Sequence, residues 1–370
     1  MRSEGVGSTV SIIIPTYNEA EVIERTLEEI SKVMEQHGID YEIIVVDDNS
    51  PDGTWRIVEE YSKRNPRVKL YRRTSKRGLA SAIIDGMKLA KSKYIVVMDA
   101  DLQHHPKYIP SLLREADASN ADIVVASRYA KGGGVSNWSY TRLLISKTAA
   151  VLAKLLVKEA QKTSDPMSGF FLVKREFIQR YIDELRPRGY KILLEILARA
   201  GDAKVSEVPY TFYPRAAGRS KLGIKEIVDY LIHLIKLSKF IKFGTVGASG
   251  TIVNLAVMYV LLKMLGIHKA ISSIAGIEAG LLWNFLLNEV WTFEAGFRGA
   301  WWKRIIAYHG ASAASIVTTF ATMYLLSSYL GIDPVEAQFY GIILGFIANY
   351  LLSSRGVWRL GYDSRNKPRQ

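Results

Sequence analysis

Residues 94–106 read YIVVMDADLQHHP. Tyr94, Ile95, Val96, Val97 and Met98 form an unbroken apolar run, and such a run predicts a strand covered on both faces, as in a parallel sheet. Asp99 and Asp101 follow at once. Residues two apart on extended backbone point to the same side, so the two carboxylates share one direction. Working outward, the same apolar character recurs at 10–14, 41–47, 68–71 and 123–127. Amphipathic stretches at 21–36, 53–62, 79–92 and 107–118 separate these runs. Strands alternating with helices predict an α/β domain with a mainly parallel sheet covered on both faces. Ligands of such sheets sit beyond the carboxyl ends of the strands. The informative residues are therefore Pro15, Tyr17 and Glu19 after the first strand, Asp48 after the second, and Asp99, Ala100, Asp101 and Gln103 after the fourth.

Composition narrows the chemistry. The chain has 370 residues with 48% hydrophobic and 23% charged residues, a globular rather than disordered balance, and a net charge of +13. It contains no cysteine, which excludes a disulfide scaffold, a zinc–cysteine finger, an iron–sulfur cluster and a thiol nucleophile. Six histidines occur, none in a His-Glu-x-x-His array. No Gly-x-x-x-x-Gly-Lys-Ser/Thr loop is present, and no Gly-x-Gly-x-x-Gly follows the first strand, so neither a P-loop nor a dinucleotide site is expected. Two carboxylates at a strand end, with Gln103 able to add an oxygen, make a hard-oxygen site for Mg²⁺ or Mn²⁺.

Charge is unevenly spread. Residues 1–240 carry 38 Lys and Arg against 30 Asp and Glu, whereas residues 241–370 carry only 11 against 6. In that second part four apolar stretches, 243–265, 270–291, 305–330 and 335–352, are each about long enough to cross a ~30 Å hydrocarbon layer at 1.5 Å per residue. The loop between the second and third holds Arg298, Lys303 and Arg304, and the C-terminal tail holds Arg355, Arg359, Arg365, Lys367 and Arg369. The opposite loops hold Asp333 in one case and His268 and Lys269 in the other. Basic flanks stay inside, so both termini and the first domain are expected in the cytoplasm. Residues 284–293 (NFLLNEVWTF) and 349–358 (NYLLSSRGVW) close the second and fourth stretches 65 positions apart, which predicts a duplicated hairpin. Glu278, Asn284 and Asn288 are costly in lipid and are expected to face the bundle interior. Two amphipathic stretches, 143–157 and 224–241, are expected to lie on the bilayer surface.

The motifs together carry a resemblance. PTYNE (15–19), DDNSPDGT (47–54), MDADLQHHP (98–106), SRY (127–129), DPMSGFF (165–171), EVP (207–209) and GRSKLG (218–223) resemble the dolichyl-phosphate mannose synthases. These are inverting nucleotide-sugar glycosyltransferases with a Rossmann-like A-type fold. The apolar part resembles the GtrA-type four-helix membrane domain. The resemblance implies a cytoplasmic glycosyltransferase domain over 1–222, an interfacial helix over 223–241, a four-span domain over 242–360 and a basic tail over 361–370. It implies transfer of mannose from GDP-mannose to a polyprenyl (dolichyl) phosphate, with a bilayer and no nucleic acid as partners. Pro15, Tyr17, Glu19, Val46 and Asp48 are then expected to hold the guanosine. Asp99, Ala100, Asp101 and Gln103 are expected around metal and diphosphate, and Arg128, Arg215 and Lys221 around phosphates or sugar. Arg142 and Ser146, four apart on one helical face, are expected to meet the lipid phosphate beside Arg128. His104 and His105 are expected to have a local structural role. Glucose transfer from UDP-glucose to undecaprenyl or dolichyl phosphate, and a lipid-linked sugar flippase with a regulatory first domain, remain open alternatives at this point.

Overall fold

The computed structural model describes residues 10–75, 78–185, 191–214 and 223–360. The chain divides into two compact units, Met1–Leu237 and Ser238–Gln370. In the first, β1 (Val10–Thr16), α1 (Ile23–Gln36), β2 (Tyr41–Asp47), α2 (Thr54–Arg64), β3 (Val68–Arg72), α3 (Leu79–Leu89), β4 (Tyr94–Val97), α4 (Ile109–Ser119) and β5 (Ile123–Ser127) alternate as the apolar runs predict. Then come β6 (Gly134–Val135), α5 (Tyr140–Leu156), β7 (Phe171–Lys174), α6 (Arg175–Gln179), α7 (Ile192–Arg199), β8 (Val205–Pro209), β9 (Thr211–Phe212) and α8 (Ile224–Leu237).

Seven strands form one sheet in the order β3-β2-β1-β4-β7-β5-β8. Only β7 is antiparallel to its neighbours, β4 and β5. Burial explains the unbroken apolar runs. Ile12, Ile43 and Val96 face Leu27, Ile30 and Leu112 on one side, while Ile13, Ile44 and Val97 face Ile83, Met87 and Ile196 on the other. With both faces covered, strict alternation would leave polar groups in a core, so the middle positions of β1, β2, β4 and β5 are apolar on both sides. β6 and β9 pair in a separate two-stranded piece beside the sheet's carboxyl rim. Helices α5 and α8 pack on each other through Ala149, Ala153 and Leu156 against Tyr230, Leu234 and Leu237, with the Tyr230 hydroxyl donating to the Ala149 carbonyl at 2.7 Å. Leu144, Ile145, Val151 and Leu155 on α5, and Val228, Leu231, Ile232 and Ile235 on α8, remain exposed. The amphipathic helix ends at Leu237, earlier than the stretch read to 241, because Ser238 caps the next helix through the Ile241 amide.

The second unit contains α9 (Lys239–Tyr259), α10 (Lys269–Leu287), α11 (Trp301–Leu330) and α12 (Pro334–Arg355). With their terminal turns, four helices there are long and apolar enough to cross a membrane. The duplicated hairpin is visible as packing. A Cβ on Gly276 would lie 2.6 Å from the Asn254 carbonyl oxygen, and one on Gly280 would lie 2.8 Å from the Gly250 carbonyl oxygen. Sixty-five residues on, Gly341 and Gly345 make the same close approaches, to Thr319 and Ser315 at 2.5 and 2.7 Å. Small residues let helix backbones touch where lipid offers no hydrophobic drive. Asn288 is buried as expected, and Asn284 is half-buried. Glu278 corrects the expectation: it faces outward, half-exposed, and meets His309 Nε2 at 3.1 Å. Spans that are apolar all round have no moment that reveals which side turns inward.

Candidate active site

The turns after β1 and β2 are tied together by short polar side chains. Asp47 accepts hydrogen bonds from the Thr16 hydroxyl at 2.8 Å, and from the Ser50 amide and hydroxyl at 2.8 and 2.7 Å. Ser50 in turn accepts from the Asn18 amide, and Asp52 accepts from the amides of Ala20 and Thr54. Pro15 sits in register opposite Val46, both buried. Tyr17 and Glu19 are half-buried at the same edge, the Glu19 amide donating to the Thr54 hydroxyl at 2.9 Å. Asp48 is more committed than the sequence suggests. One of its oxygens takes Arg73 in a bidentate contact, and the other takes the Gly78 amide at 2.7 Å. Arg73 continues to Asp85 and Ser81, each at 3.0 Å. Asp48 therefore anchors the segment after β3.

The turn after β4 carries the acid pair. Asp101 is buried and accepts the Gln103 amide at 3.1 Å, whereas the Asp99 side chain is 39% exposed. The Gln103 side-chain nitrogen donates to the Tyr213 carbonyl at 3.0 Å, so its amide oxygen is the atom suited to a metal. The Ala100 carbonyl accepts the Thr26 hydroxyl at 2.5 Å, locking the turn to α1. Among the described residues no three His, Asp or Glu side chains converge on one point. The hard-oxygen set of Asp99, Asp101 and Gln103 nevertheless fits a divalent cation that takes its other ligands from water and diphosphate. Gly169 leaves room for the His104 ring, since a Cβ there would lie 3.1 Å from its Cε1.

His104 has the structural role expected. It is buried, stacks on Phe170 at 5.4 Å, and its Nδ1 accepts the Asp99 amide at 3.1 Å. Burial pushes its pKa down to about 4, so the ring is neutral and holds the metal loop as an acceptor. His105 Nδ1 likewise accepts the Lys107 amide at 3.2 Å.

Across the rim, Arg128 follows β5 and forms a bidentate pair with Asp165 at 2.7 and 2.8 Å. Burial alone would pull its charge down, but the Asp165 carboxylate outweighs this and raises the pKa above the ordinary arginine range. The guanidinium lies over the rings of Tyr129, Trp138 and Phe212. Arg142, in the first turn of α5, lies 4.4 Å over the same Trp138 ring. Ser146 joins this group through the Tyr129 hydroxyl, 2.8 Å away. The structure thus brings Arg128, Arg142 and Ser146 together; Arg215 and Lys221 lie outside the described residues. Sequence reading missed Lys191, which precedes α7. Its pKa is lowered to about 8 by burial and then by Arg128, against the opposing pull of Asp165 and Asp99. A lone lysine ahead of an apolar helix carries no local signal of such neighbours. It also left Asp165 without a role, although Asp165 is fully buried and ion-paired.

A mainly parallel sheet with acids and arginines gathered on its carboxyl rim fits a glycosyltransferase domain, joined in one chain to a four-helix membrane unit. The glycosyl transferase family 2 model matches residues 11–182, and the GtrA/DPMS transmembrane domain model matches 242–358. A dolichol-phosphate mannosyltransferase of Pyrococcus furiosus is 42% identical over 356 residues, covering 94% of this chain and 99% of that one. A dolichol-phosphate mannosyltransferase of Saccharomyces cerevisiae is 37% identical over 242 residues, covering 63% and 88%. Among solved structures, mannosyl-3-phosphoglycerate synthase of Rubrobacter xylanophilus is similar at 21% identity and a TM-score of 0.48, covering 62% of this chain and 73% of that one. The chain belongs to the dolichol-phosphate mannosyltransferase family, and it is an integral membrane glycosyltransferase.

Proposed function

We propose that the protein transfers mannose from GDP-mannose to a dolichyl or other polyprenyl phosphate at the cytoplasmic face of the membrane, inverting the anomeric carbon. The observation that carries this reading is the near-full-length relationship to a dolichol-phosphate mannosyltransferase, 42% identical across both the soluble and the membrane unit. Residues 1–222 are the catalytic domain, 223–241 the interfacial segment, 242–360 the membrane domain and 361–370 a basic tail. The exposed apolar faces of α5 and α8 rest on the bilayer and bring the rim to the lipid headgroup.

In this reading Pro15, Tyr17, Glu19, Val46 and Asp48 hold the guanosine. Asp99, Asp101 and Gln103 hold Mg²⁺ or Mn²⁺, which when bound compensates the charge of the departing diphosphate. Lys191 adds positive charge near Asp99 and Asp165, and Arg215 and Lys221 are assigned by their motif to phosphates or sugar. Arg128, Arg142 and Ser146 orient the acceptor phosphate for attack from the opposite face of the sugar. A phosphate monoester has a second pKa near 6 and is largely dianionic at neutral pH, so no protein base has to remove a proton. The bonding change is simple: a phosphate oxygen bonds to the sugar carbon as the bond to the GDP oxygen breaks.

The deciding experiment incubates the purified, detergent-solubilised full chain with labelled GDP-mannose, dolichyl phosphate and Mn²⁺. Label passing into a mannosyl phospholipid is the expected result. Label passing to lipid only from UDP-glucose overturns the donor assignment, and no transfer from either donor overturns the enzymatic reading.

A further inference from the structure

We propose that Trp138 is a positioning residue that sets Arg142 against Arg128, so that the two guanidiniums form one cradle for the acceptor phosphate. The inference rests on the acceptor reading above and adds a residue and a physical cause to it. The two arginines differ in how they are held. Arg128 is fixed by its own segment: Asp165 takes its Nε and Nη2 at 2.7 and 2.8 Å, and takes its backbone amide at 3.2 Å. Arg142 stands on the partly exposed first turn of α5, on a long side chain with many rotamers. Trp138 lies between the two segments. Its ring is 4.4 Å from the Arg142 guanidinium carbon and 5.5 Å from that of Arg128. Both cations therefore lie close to one indole.

The indole itself is fixed. It follows β6, whose pairing with β9 ties it to the sheet rim. The edge of Phe212, in β9, packs on it at 5.4 Å. An indole face attracts a guanidinium while leaving its in-plane N–H groups directed outward. Two planar forks held this way can bind separate oxygens of one dianionic phosphate. Without the ring, Arg142 keeps its charge and loses the contact that sets its guanidinium plane beside Arg128. The same ring also lets two like charges sit near each other before the anion arrives, because Asp165 balances one and the π face attracts both. Ser146 is held to this group by Tyr129 at 2.8 Å, so the hydroxyl stays in place whether or not Trp138 is present.

Steady-state transfer by the full chain in detergent, with dolichyl phosphate varied, tests the role. Trp138→Leu is expected to raise KM for dolichyl phosphate at least tenfold. Its kcat should stay within threefold, and GDP-mannose affinity by calorimetry should stay within twofold. Trp138→Phe keeps a π face and is expected to recover most of the KM. Arg142→Lys keeps charge without a planar face, and adding Trp138→Leu to it is expected to change KM less than twofold further. Equal KM values for the Leu and Phe variants, or full additivity with Arg142→Lys, overturn the proposal. Should Trp138→Leu fail to fold, Trp138→Met, which also removes the π face, takes its place in the additivity test with Arg142→Lys. If Arg142→Ala itself leaves the lipid KM unchanged, the acceptor assignment of the preceding section fails. A raised KM in Arg142→Ala with an unmoved KM in Trp138→Leu overturns only the positioning role.

Discussion

Buried arginine–carboxylate pairs occur in both units of this chain, and two of them, Arg304–Glu289 and Arg128–Asp165, differ in what surrounds them. In the membrane unit, Glu289 and Arg304 are both almost wholly inaccessible and contact each other through two nitrogens. Glu289 also takes the Trp358 indole N–H at 2.8 Å and the Phe297 amide at 3.0 Å. Arg304 also gives to the carbonyls of Arg298 and Leu360. That network joins the end of one hairpin to the start and end of the other. In the soluble unit, Asp165 and Arg128 pair as tightly, but a second cation, Lys191, lies near enough to feel both charges, and aromatic faces surround the guanidinium. The first pair balances charge with charge and dipole on all sides. The second collects positive charge at a ligand rim, the arrangement expected where an anion binds. The same two residue types thus form a fastening in one unit and, in the proposed reading, a binding group in the other.

The largest effect is expected at the acid pair that faces the cationic group. Asp101→Asn removes one carboxylate charge with little change of shape, and turnover should fall by about a thousandfold or more at saturating Mn²⁺. Melting in detergent should stay close to wild type. Near-normal turnover would remove the metal role. Next, paired apolar replacement separates the two arginine pairs. Arg304→Met with Glu289→Leu should leave a folded enzyme with transfer within about tenfold of wild type, since a buried pair often exchanges for apolar side chains at little cost. Arg128→Met with Asp165→Leu should also fold, yet lose transfer by at least about a hundredfold. Equal activity in the two double variants would erase the distinction. Glu289→Ala alone should cost about 3–5 kcal/mol by stranding Arg304, read as a lowered melting temperature or failed extraction.

What the sequence reveals here is what has a period or a local motif. Runs rich in Ile and Val mark β1, β2, β4 and β5, and the acids directly after β2 and β4 mark the rim. The spans and their 65-residue repeat are equally legible, because apolar length and recurrence are local properties. The antiparallel β7 is not, since Phe171–Lys174 has the same buried apolar pattern as its parallel neighbours and direction leaves no trace in composition. Polar partners are also hidden. Asp165 lies 37 residues from Arg128, and Arg73 lies 25 residues from Asp48. Nothing in either residue's neighbourhood names its partner. Trp138 looks like any aromatic ahead of a helix until the fold places two guanidiniums over it. The side that Glu278 faces is hidden for a related reason, because its helix has no strongly polar face to orient it.

The smallest expected effect concerns pH and His104, the ring that supports the metal loop. Its Nδ1 accepts the Asp99 amide, and burial holds its pKa at about 4 against an ordinary 6.5. Asp101 and Asp165 pull the value up, while Arg128 and Lys191 push it down with the desolvation. The folded chain therefore binds fewer protons than the unfolded chain between those two values. The stability this provides is complete above pH 6.5 and declines as pH falls toward 4. By pH 5 the loss should reach about 2 kcal/mol, before most carboxylates have titrated. His104→Asn offers an amide oxygen to the same Asp99 amide without a proton to gain. Its melting temperature should be lower than wild type at pH 7.5 and should converge on wild type between pH 6.5 and 5. Parallel curves for the two proteins across that window would mean that His104 does not carry the dependence, and that its ring is not held neutral by burial.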